Sequence, residues 1–212
     1  MENHSPTKLW IASGNAAKAR ELIDFSKEFF PKMRSIEARE PKDVDENEST
    51  FQGNAKLKTY ALVQELINEG YKSFTVLGDD SGLCVDILNG KPGVRSGRYS
   101  GVNSNPQRNL EKLLRDLNFA TQALSERTGK YYCALWMVRV SDGEIKEEFG
   151  AEGIREGLIG LNPKGANGYA YDAVFLDPQT LLSYGEVPYA EKQRDSHRRR
   201  AFEKLITLAR NI

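Results

Sequence analysis

The chain has 212 residues, and its 30 lysines and arginines balance its 30 aspartates and glutamates, so the formal net charge is zero. This length, with 39% apolar and 28% charged residues, predicts one globular domain spanning residues 1–212, with room for two lobes and a core that needs no disulfides. Zero net charge argues against a nucleic-acid binder, which is normally basic overall. The chain shows neither a membrane-spanning run nor a signal peptide, so we expect a cytoplasmic protein with no membrane partner.

Strand and helix patterns alternate along the first part of the chain. We predict a strand at Lys8–Ala12, a helix after the Ser13-Gly14-Asn15 break, and a second strand at Lys32–Ile36. Glu37–Glu48 contains six acidic and two basic residues, which is typical of a loop. The capping pattern at Ser49 predicts the start of the next helix.

A second strand and loop pattern occupies the middle of the chain. We predict a strand at Phe74–Leu77, a loop at Gly78–Gly82, and a resumed strand through Leu83, Val85 and Ile87. A long loop at Asn89–Gly101 is followed by a helix that Asn105-Pro106 begins.

The last part of the chain predicts further strands and a final helix. Lys130–Val140 and Glu144–Ala151 are joined by Asp142-Gly143, a hairpin signal. We expect another strand at Tyr171–Leu176 and a last helix capped by Ser196. The order predicts an α/β fold with a mixed sheet. Cys84 and Cys133 lack paired spacing, and we expect both to be reduced.

Two of four candidate sites are charged segments near the start of a helix. Ser13-Gly14-Asn15-Ala16-Ala17-Lys18 leaves a strand and enters a helix, where unpaired N–H groups and a lysine favour an anion. The alternative is an ordinary turn with a solvated lysine. The second site is the acidic loop with the lysines that follow, a combination suited to Mg²⁺ and a polyphosphate. Its residues are Asp43, Asp45, Glu46 and Glu48, then Asn54, Lys56 and Lys58. The alternative is a solvated charge run.

The other two candidate sites lie further along the chain. Asp79-Asp80-Ser81-Gly82 follows an apolar strand, where α/β proteins commonly bind ligands, although this sequence is also a common turn. The segment 165–172 brings two tyrosines and an aspartate into a strand, and Tyr rings either stack on a base or pack in a core. Lys192 and Ser196-His197-Arg198 open the last helix, where the helix dipole disfavours cations.

Taken in order, these motifs resemble the inosine triphosphate pyrophosphatase family, also called dITP/XTP pyrophosphatases, from about Lys8 to Arg210. The motifs are Ser13-x-Asn15-x-x-Lys18, Thr50-Phe51-x-x-Asn54-Ala55-x-x-Lys58, Asp79-Asp80-Ser81-Gly82-Leu83, Pro92-Gly93-x-x-Ser96-x-Arg98-Tyr99-x-Gly101, Gly168-Tyr169-x-Tyr171-Asp172 and Ser196-His197-Arg198. The resemblance implies a two-lobed α/β fold around a long mixed sheet with flanking helices. It also implies an active site in the cleft between lobes and a homodimer.

The resemblance further implies Mg²⁺-dependent hydrolysis of ITP, dITP and XTP to the monophosphate and pyrophosphate, which would keep deaminated purines out of DNA and RNA. The implied roles are a catalytic base at Asp80, metal ligands at Asp80 and either Asp45 or Glu46, triphosphate contacts at Ser13, Gly14, Asn15, Lys18 and Lys58, and substrate contacts at Ser81, Tyr169, Ala170, Tyr171, Asp172, Lys192, His197 and Arg198. A base with an oxygen at position 6 would accept a hydrogen bond from Lys192 or Arg198, whereas adenine presents a donor there.

Three positions depart from the family's usual pattern, and two other functions stay open. Ala170 stands where glycine is usual, Ala173 where proline is usual, and Asp195 where an apolar residue is common. The alternatives are a pyrophosphatase for other modified nucleotides, including pyrimidines, and a catalytically silent nucleotide-binding dimer.

Overall fold

A six-stranded mixed sheet organises the chain, described in this computed structural model over residues 8–31, 33, 35–42 and 44–210. The strands are β1 (Lys8–Ala12), β2 (Ile36–Arg39), β3 (Phe74–Val85), β4 (Thr128–Ser141), β5 (Glu144–Ile159) and β6 (Phe175–Leu176), in the spatial order β2-β1-β3-β4-β5-β6. The helices are α1 (Ala16–Phe29), α2 (Phe51–Asn68), α3 (Pro106–Ala120), α4 (Tyr189–Arg194) and α5 (His197–Arg210). Because β1 is parallel to β2 and β3 while β6 is antiparallel to β5, the predicted mixed α/β sheet is confirmed.

The chain forms two compact units, and β3, β4 and β5 each contribute residues to both. The first unit comprises the chain up to Asp80, Cys133–Gly153 and the chain from Arg200 onward. The second comprises Ser81–Tyr132 and Ile154–Arg199. The single-domain assignment and the cleft between lobes stay predictions.

Helices cover both faces of the sheet in the first unit. Along β1, Leu9 and Ile11 join the apolar cluster of α1 and α5, whereas Trp10 and Ala12 join the cluster of α2. This alternation follows from the two-residue period of a strand. The parallel strands β1 and β3 therefore lie in the middle of three layers, buried on both faces as parallel strands usually are.

The core of the second unit lies between α3 and the far parts of the long strands. Leu110, Leu113 and Leu117 of α3 pack with Leu83 and Val85 of β3. Aromatic side chains from β4, the 3₁₀ turn before β6, β6 itself and the segment between β6 and α4 complete this core: Tyr131, Tyr171, Phe175 and Tyr184.

The prediction that Gly78–Gly82 is a loop is wrong, because β3 runs without a break from Phe74 to Val85. Its polar residues remain in the strand because neighbouring elements supply partners for Asp79 and Asp80. The resumed strand also ends earlier than expected, since Ile87 lies in a short 3₁₀ turn at Asp86–Leu88.

The second strand is also displaced from its predicted position at Lys32–Ile36. Strand β2 begins at Ile36, in register with Leu9, and ends at Arg39, within the segment predicted to be a loop. It is an edge strand, and an edge tolerates charged residues such as Glu37 and Arg39. Lys32 and Arg34 lie outside the described residues.

The predicted strand at Tyr171–Leu176 is mostly wrong. Residues Ala170–Ala173 form a 3₁₀ turn, and only Phe175–Leu176 pair as β6. The turn is closed by Asp172, whose Oδ2 accepts a hydrogen bond of 2.7 Å from the Tyr169 N–H. The loop predicted at Asn89–Gly101 likewise contains a 3₁₀ helix at Gly93–Arg98.

The ends of the helices follow the capping signals closely. Asn105 caps α3 and Ser196 caps α5 as predicted, by accepting from the N–H groups of Arg108 and Arg199. Helix α2 is capped by Thr50, one residue after the predicted Ser49, through a bond of 3.0 Å from the Gly53 N–H. Lys192 lies on α4, a separate short helix, rather than at the opening of the last helix.

Both strands of the hairpin, β4 and β5, are longer than predicted. Strand β4 covers the predicted Lys130–Val140, and β5 continues eight residues past Ala151 to Ile159.

Neither cysteine forms a disulfide, as expected: Cys133 is buried and Cys84 is half-buried. Within the described ranges, no helix is both long enough and apolar enough to cross a bilayer.

We predict that Gly78→Ala destabilises the protein, because a Cβ there would lie 2.6 Å from the Ala55 carbonyl oxygen and would also overlap the Thr59 hydroxyl. Overpacking of this kind costs about 1–3 kcal/mol, so thermal unfolding should show a clearly lower Tm. Gly97→Ala is the matched control, because a Cβ there has no neighbour within 4 Å and should leave Tm nearly unchanged. Equal Tm values for both variants would contradict this close packing of α2 on β3.

Candidate active site

The turn after β1 forms a capped helix start. Asn15 accepts hydrogen bonds of 3.0 and 3.2 Å from the N–H groups of Ala17 and Lys18, and Ser13 Oγ accepts one of 3.2 Å from the Asn15 N–H. Lys18 projects from the first turn of α1, and its Nζ lies 3.1 Å from Asp79 Oδ1. A helix N-terminus with a nearby ammonium group is favourable for an anion.

Glu40 lies against the same turn. A Cβ on Gly14 would overlap the carboxyl group of Glu40, so only glycine leaves room for that side chain where it stands. Because that carboxyl group is the far end of a flexible side chain, a larger residue at position 14 would displace Glu40 rather than the backbone.

The adjacent carboxylates Asp79 and Asp80 have different surroundings. Asp79 is only 1% exposed, and its Oδ2 accepts a bond of 3.2 Å from the Cys133 thiol, on the side of the sheet that α1 covers. Asp80 contacts α2, where Asn54 Nδ2 donates to its Oδ2 at 3.0 Å. Because successive strand residues point to opposite faces, the two carboxylates avoid direct contact.

Asp80 is a buried carboxylate with an altered acidity. Burial raises the pKa of Asp80 above its ordinary value, and the charge of Asp79 adds to that rise. The positive charges of Lys58 and Lys18 and the hydrogen bond from Asn54 act in the opposite direction, without cancelling the effect of burial. A carboxylate that holds a proton more readily than free aspartate is suited to proton transfer near neutral pH.

Helix α2 supplies both neighbours of Asp80. Asn54 and Lys58 are four residues apart and therefore share one face of the helix. Lys58 Nζ lies 3.8 Å from Asp80 Oδ1 and 3.1 Å from Glu46 Oε2. The lysine thus joins the acidic segment to the buried carboxylate.

The two metal-ligand candidates occupy different environments. Glu46 shares Lys58 with Asp80, whereas the carboxylate of Asp45 accepts from the side chain of Asn47 at 3.2 Å. Among the described residues, no group of three His, Cys, Asp or Glu side chains is arranged to hold an ion. Asp43, another acidic residue of the predicted site, lies outside the described residues.

In the second unit, Arg198 and Ser81 are joined directly. Arg198 Nη2 donates to Ser81 Oγ at 2.8 Å, and the arginine is only 5% exposed. The hydrogen bond links the first turn of α5 to the residue that follows Asp80 in the chain. Both residues were predicted to contact substrate.

The two predicted tyrosines differ in exposure. Tyr171 lies in the core, donates from its hydroxyl to the Ser96 carbonyl oxygen at 2.8 Å, and has a pKa raised by burial. Tyr169 is 49% exposed, so its ring is the one of the two that a ligand can reach. Ala170 between them has φ of 54°, a left-handed conformation that glycine adopts at lower cost.

Asp172 and Lys192 form a buried ion pair of 2.7 Å between Oδ2 and Nζ. The same Oδ2 accepts from the Tyr169 backbone N–H, so Asp172 joins α4 to the 3₁₀ turn at Ala170–Ala173. Asp195, the other unusual residue near this site, forms an ion pair of 3.0 Å with Arg155.

The predicted residues therefore fall into two connected sets, one in each unit. The first unit contains Ser13, Gly14, Asn15, Lys18, Asp45, Glu46, Lys58 and Asp80, of which Asp45 contacts Asn47 rather than the others. The second contains Ser81, Tyr169, Ala170, Tyr171, Asp172, Lys192, His197 and Arg198. Sequence reasoning missed Cys133 and Tyr131 as contacts of these sets, because a cysteine and a tyrosine within a strand are typical of any core.

The fold and the first set define an α/β protein with a desolvated carboxylate beside two lysines. The model of the Ham1 family matches residues 9–208. The chain is 39% identical to the dITP/XTP pyrophosphatase of Clostridium tetani, with 92% of each chain covered.

Two solved structures extend this similarity to the whole fold. The Ham1 protein of Staphylococcus aureus matches with a TM-score of 0.76 and 33% identity, over 97% of this chain and 99% of that one. A HAM1 protein from Coxiella burnetii matches with a TM-score of 0.79 and 28% identity, over 97% and 100% of the two chains. The chain belongs to the Ham1 family, and the predicted resemblance is confirmed.

We predict that Asp80→Asn does not destabilise the metal-free protein at neutral pH. The raised pKa means that the ionised carboxylate is less stable in the folded chain than in the unfolded chain. This penalty develops as pH rises above the ordinary value of 3.8 and disappears below it, so removing the charge should preserve or raise Tm at pH 7 and matter less in acid.

Asp79→Asn is the matched control, because that carboxylate is paired with Lys18 and its loss should lower Tm. Thermal unfolding with a chelator present measures both variants. A lower Tm for Asp80→Asn than for Asp79→Asn would contradict the conclusion that burial is incompletely compensated at Asp80.

Proposed function

We propose that this protein hydrolyses the non-standard purine nucleotides ITP, dITP and XTP to the nucleoside monophosphate and pyrophosphate, with Mg²⁺ as cofactor. The chain is a nucleoside triphosphate pyrophosphatase in this proposal, as its Ham1 relatives' names indicate. The observation that carries it is Asp80, a buried carboxylate of raised pKa with Asn54 and Lys58 in contact.

Asp80 serves as the general base. It accepts a proton from the attacking water as that water's oxygen bonds to phosphorus and the bond to the pyrophosphate oxygen breaks. Asn54 fixes the carboxylate by donating to Oδ2 at 3.0 Å, which leaves Oδ1 toward Lys58. A base held in place with an elevated pKa contributes roughly 100-fold or more to such a step.

The triphosphate binds at the turn after β1. Ser13, Gly14 and Asn15 supply the small polar turn, and Lys18 and Lys58 supply positive charge against the phosphates and the leaving pyrophosphate. Each ammonium group is now paired with a carboxylate, Lys18 with Asp79 and Lys58 with Glu46. These pairs hold the lysines in place before the substrate's negative charge arrives.

The acidic residues of the first unit fit Mg²⁺ bound together with substrate. Asp80 and Glu46 both lie within 4 Å of Lys58 Nζ, so this pair of carboxylates already attracts a cation. Mg²⁺ commonly takes one or two carboxylates and completes its octahedron with waters and phosphate oxygens. When bound, it would neutralise phosphate charge and lower the pKa of nearby water.

Residues of the second unit bind the purine base of the nucleotide. Tyr169 offers an exposed ring for stacking, while Lys192 and Arg198 offer donors to an oxygen at position 6 of hypoxanthine or xanthine. Adenine would place a donor against those donors, and an unpaired buried polar group is costly. The proposal also takes the enzyme to be a cytoplasmic homodimer, as the family resemblance implies.

A substrate panel tests the proposal. Pyrophosphate release should be fast from ITP, dITP and XTP, roughly 100-fold slower in kcat/KM from ATP, and abolished by chelation of Mg²⁺. Asp80→Asn, with its fold checked as above, should lose roughly 100-fold or more of the rate. Preference for dTTP or another modified pyrimidine nucleotide would favour the alternative pyrophosphatase, and absence of turnover with every nucleotide would favour the silent binder.

Magnesium titrations of Glu46→Gln and Asp45→Asn decide which carboxylate accompanies Asp80. Because Glu46 contacts Lys58 beside Asp80 and Asp45 contacts Asn47, only Glu46→Gln should raise the half-saturating Mg²⁺ concentration, by roughly tenfold or more. The two variants remove equal charge from neighbouring positions, which controls for the net field. The reverse pattern would assign the ligand to Asp45.

A further inference from the structure

Tyr131 on β4 contacts two of the residues assigned to base reading. Its hydroxyl donates to Asp172 Oδ1 at 3.0 Å, and its ring stacks on His197 with centroids 4.7 Å apart and an interplanar angle of 15°. Both contacts lie within the second unit. A single side chain from the sheet therefore braces the 3₁₀ turn and the start of α5.

The hydroxyl of Tyr131 completes the surroundings of the Asp172 carboxylate. Oδ2 accepts from Lys192 Nζ and from the Tyr169 N–H, both at 2.7 Å, while Oδ1 accepts from Tyr131. Because both oxygens already have donors from the protein, Asp172 acts through the groups that it holds. The most direct of these is Lys192, to which the proposed function assigns a contact with the purine base.

The position of Tyr131 is itself fixed. Its side chain is 7% exposed and packs against Phe175, with ring centroids 4.5 Å apart, and against Tyr184 in a stacked arrangement at 6.2 Å. Burial and the adjacent Asp172 raise the pKa of Tyr131 well above its ordinary value, so the hydroxyl stays a donor at every physiological pH. A buried hydroxyl that stays protonated can therefore hold the Asp172 carboxylate in a constant orientation.

We propose that Tyr131 is a positioning residue for base recognition, which sets the orientation of Lys192 through Asp172 and the ring plane of His197 through stacking. This inference rests on the proposed function and adds a specificity determinant to it. Loss of the hydroxyl should leave Asp172 free to move with Lys192, while the phosphate-binding residues of the first unit keep their own contacts.

Tyr131→Phe tests the inference, because it keeps the ring and removes only the hydroxyl. The KM for ITP should rise roughly three- to tenfold, the range expected for one hydrogen bond, with kcat nearly unchanged. The KM for ATP should change little. The ratio of kcat/KM for ITP to that for ATP should therefore fall by the same three- to tenfold factor. Calorimetric binding of IMP and AMP should show the same narrowing without turnover.

Tyr99→Phe is the matched control. Its hydroxyl donates to Asp116 at 2.6 Å, so the substitution also removes a Tyr–Asp hydrogen bond from the second unit, at residues outside the base-reading set. Tyr99→Phe should keep the parent enzyme's KM for ITP and its preference for ITP over ATP. A purely structural role for Tyr131 would lower Tm and active enzyme equally for all substrates, leaving KM and the preference unchanged, and that result overturns the inference.

Two further outcomes are distinguishable. A parent enzyme that neither hydrolyses ITP nor binds IMP more tightly than AMP overturns the proposed function and this inference with it, whereas an active parent with an unaffected Tyr131→Phe overturns the inference alone. Should Tyr131→Phe fail to fold, a ring-fluorinated tyrosine at position 131 keeps the shape and alters only the donor strength. A changed ITP preference then supports the inference, and an unchanged one overturns it.

Discussion

The burial of two adjacent carboxylates within β3 is the constraint on which the first unit depends. An ionised carboxylate removed from water is strongly destabilising unless charges or donors compensate it. The strand's alternation sends Asp79 toward α1 and Asp80 toward α2, so each helix must bring its own partner. Lys18 from α1 pairs with Asp79, and the Asn54–Lys58 pair from α2 compensates the burial of Asp80 in part. The positions of α1 and α2 on the two faces of the sheet therefore affect how readily the carboxylates of the candidate site hold a proton.

The approach of α2 to β3 determines how well that compensation works. Gly78 has no side chain, and the Thr59 hydroxyl and the Ala55 carbonyl oxygen occupy the space that a Cβ would need. Thr59 in turn donates to the Ala55 carbonyl oxygen at 2.8 Å, which satisfies that backbone group inside the contact. With the helix seated this closely, Asn54 reaches Asp80 from one turn and Lys58 reaches it from the next. The absence of a side chain at Gly78 therefore affects which charges and donors surround the Asp80 carboxylate.

Local signals predicted the helices that carry the first set of candidate residues, whereas tertiary contacts determined what the sequence left out. The helix after the Ser13-Gly14-Asn15 break and the placement of Asn54 and Lys58 on one helix depend on a few neighbouring residues, and both are confirmed. Asp79 and Asp80 in a strand were not predictable, because their partners come from α1, α2 and β4 and outweigh a local preference for a turn. Strand β2 begins at Ile36 because its register with β1 requires it. Tyr131 and Asp172 are 41 residues apart, and no local pattern distinguishes a tyrosine that braces a carboxylate from one that fills a core.

Under the proposed function, the even charge balance conceals an arrangement suited to a small polyanion. The acidic segment 37–48 and the basic segment 192–200 lie far apart in sequence, and their charges are used in opposite ways. In the first unit, Glu46 and Asp80 both lie close to the ammonium group of Lys58. In the second unit, Asp172 orients Lys192 and Ser81 accepts from Arg198, so each donor has a fixed acceptor. Discrimination between an oxygen and an amino group on a purine requires donors that cannot turn away from the wrong base. Such donors must be held by groups other than the substrate. In the proposed function, Asp172 holds Lys192 and Ser81 holds Arg198 in this way.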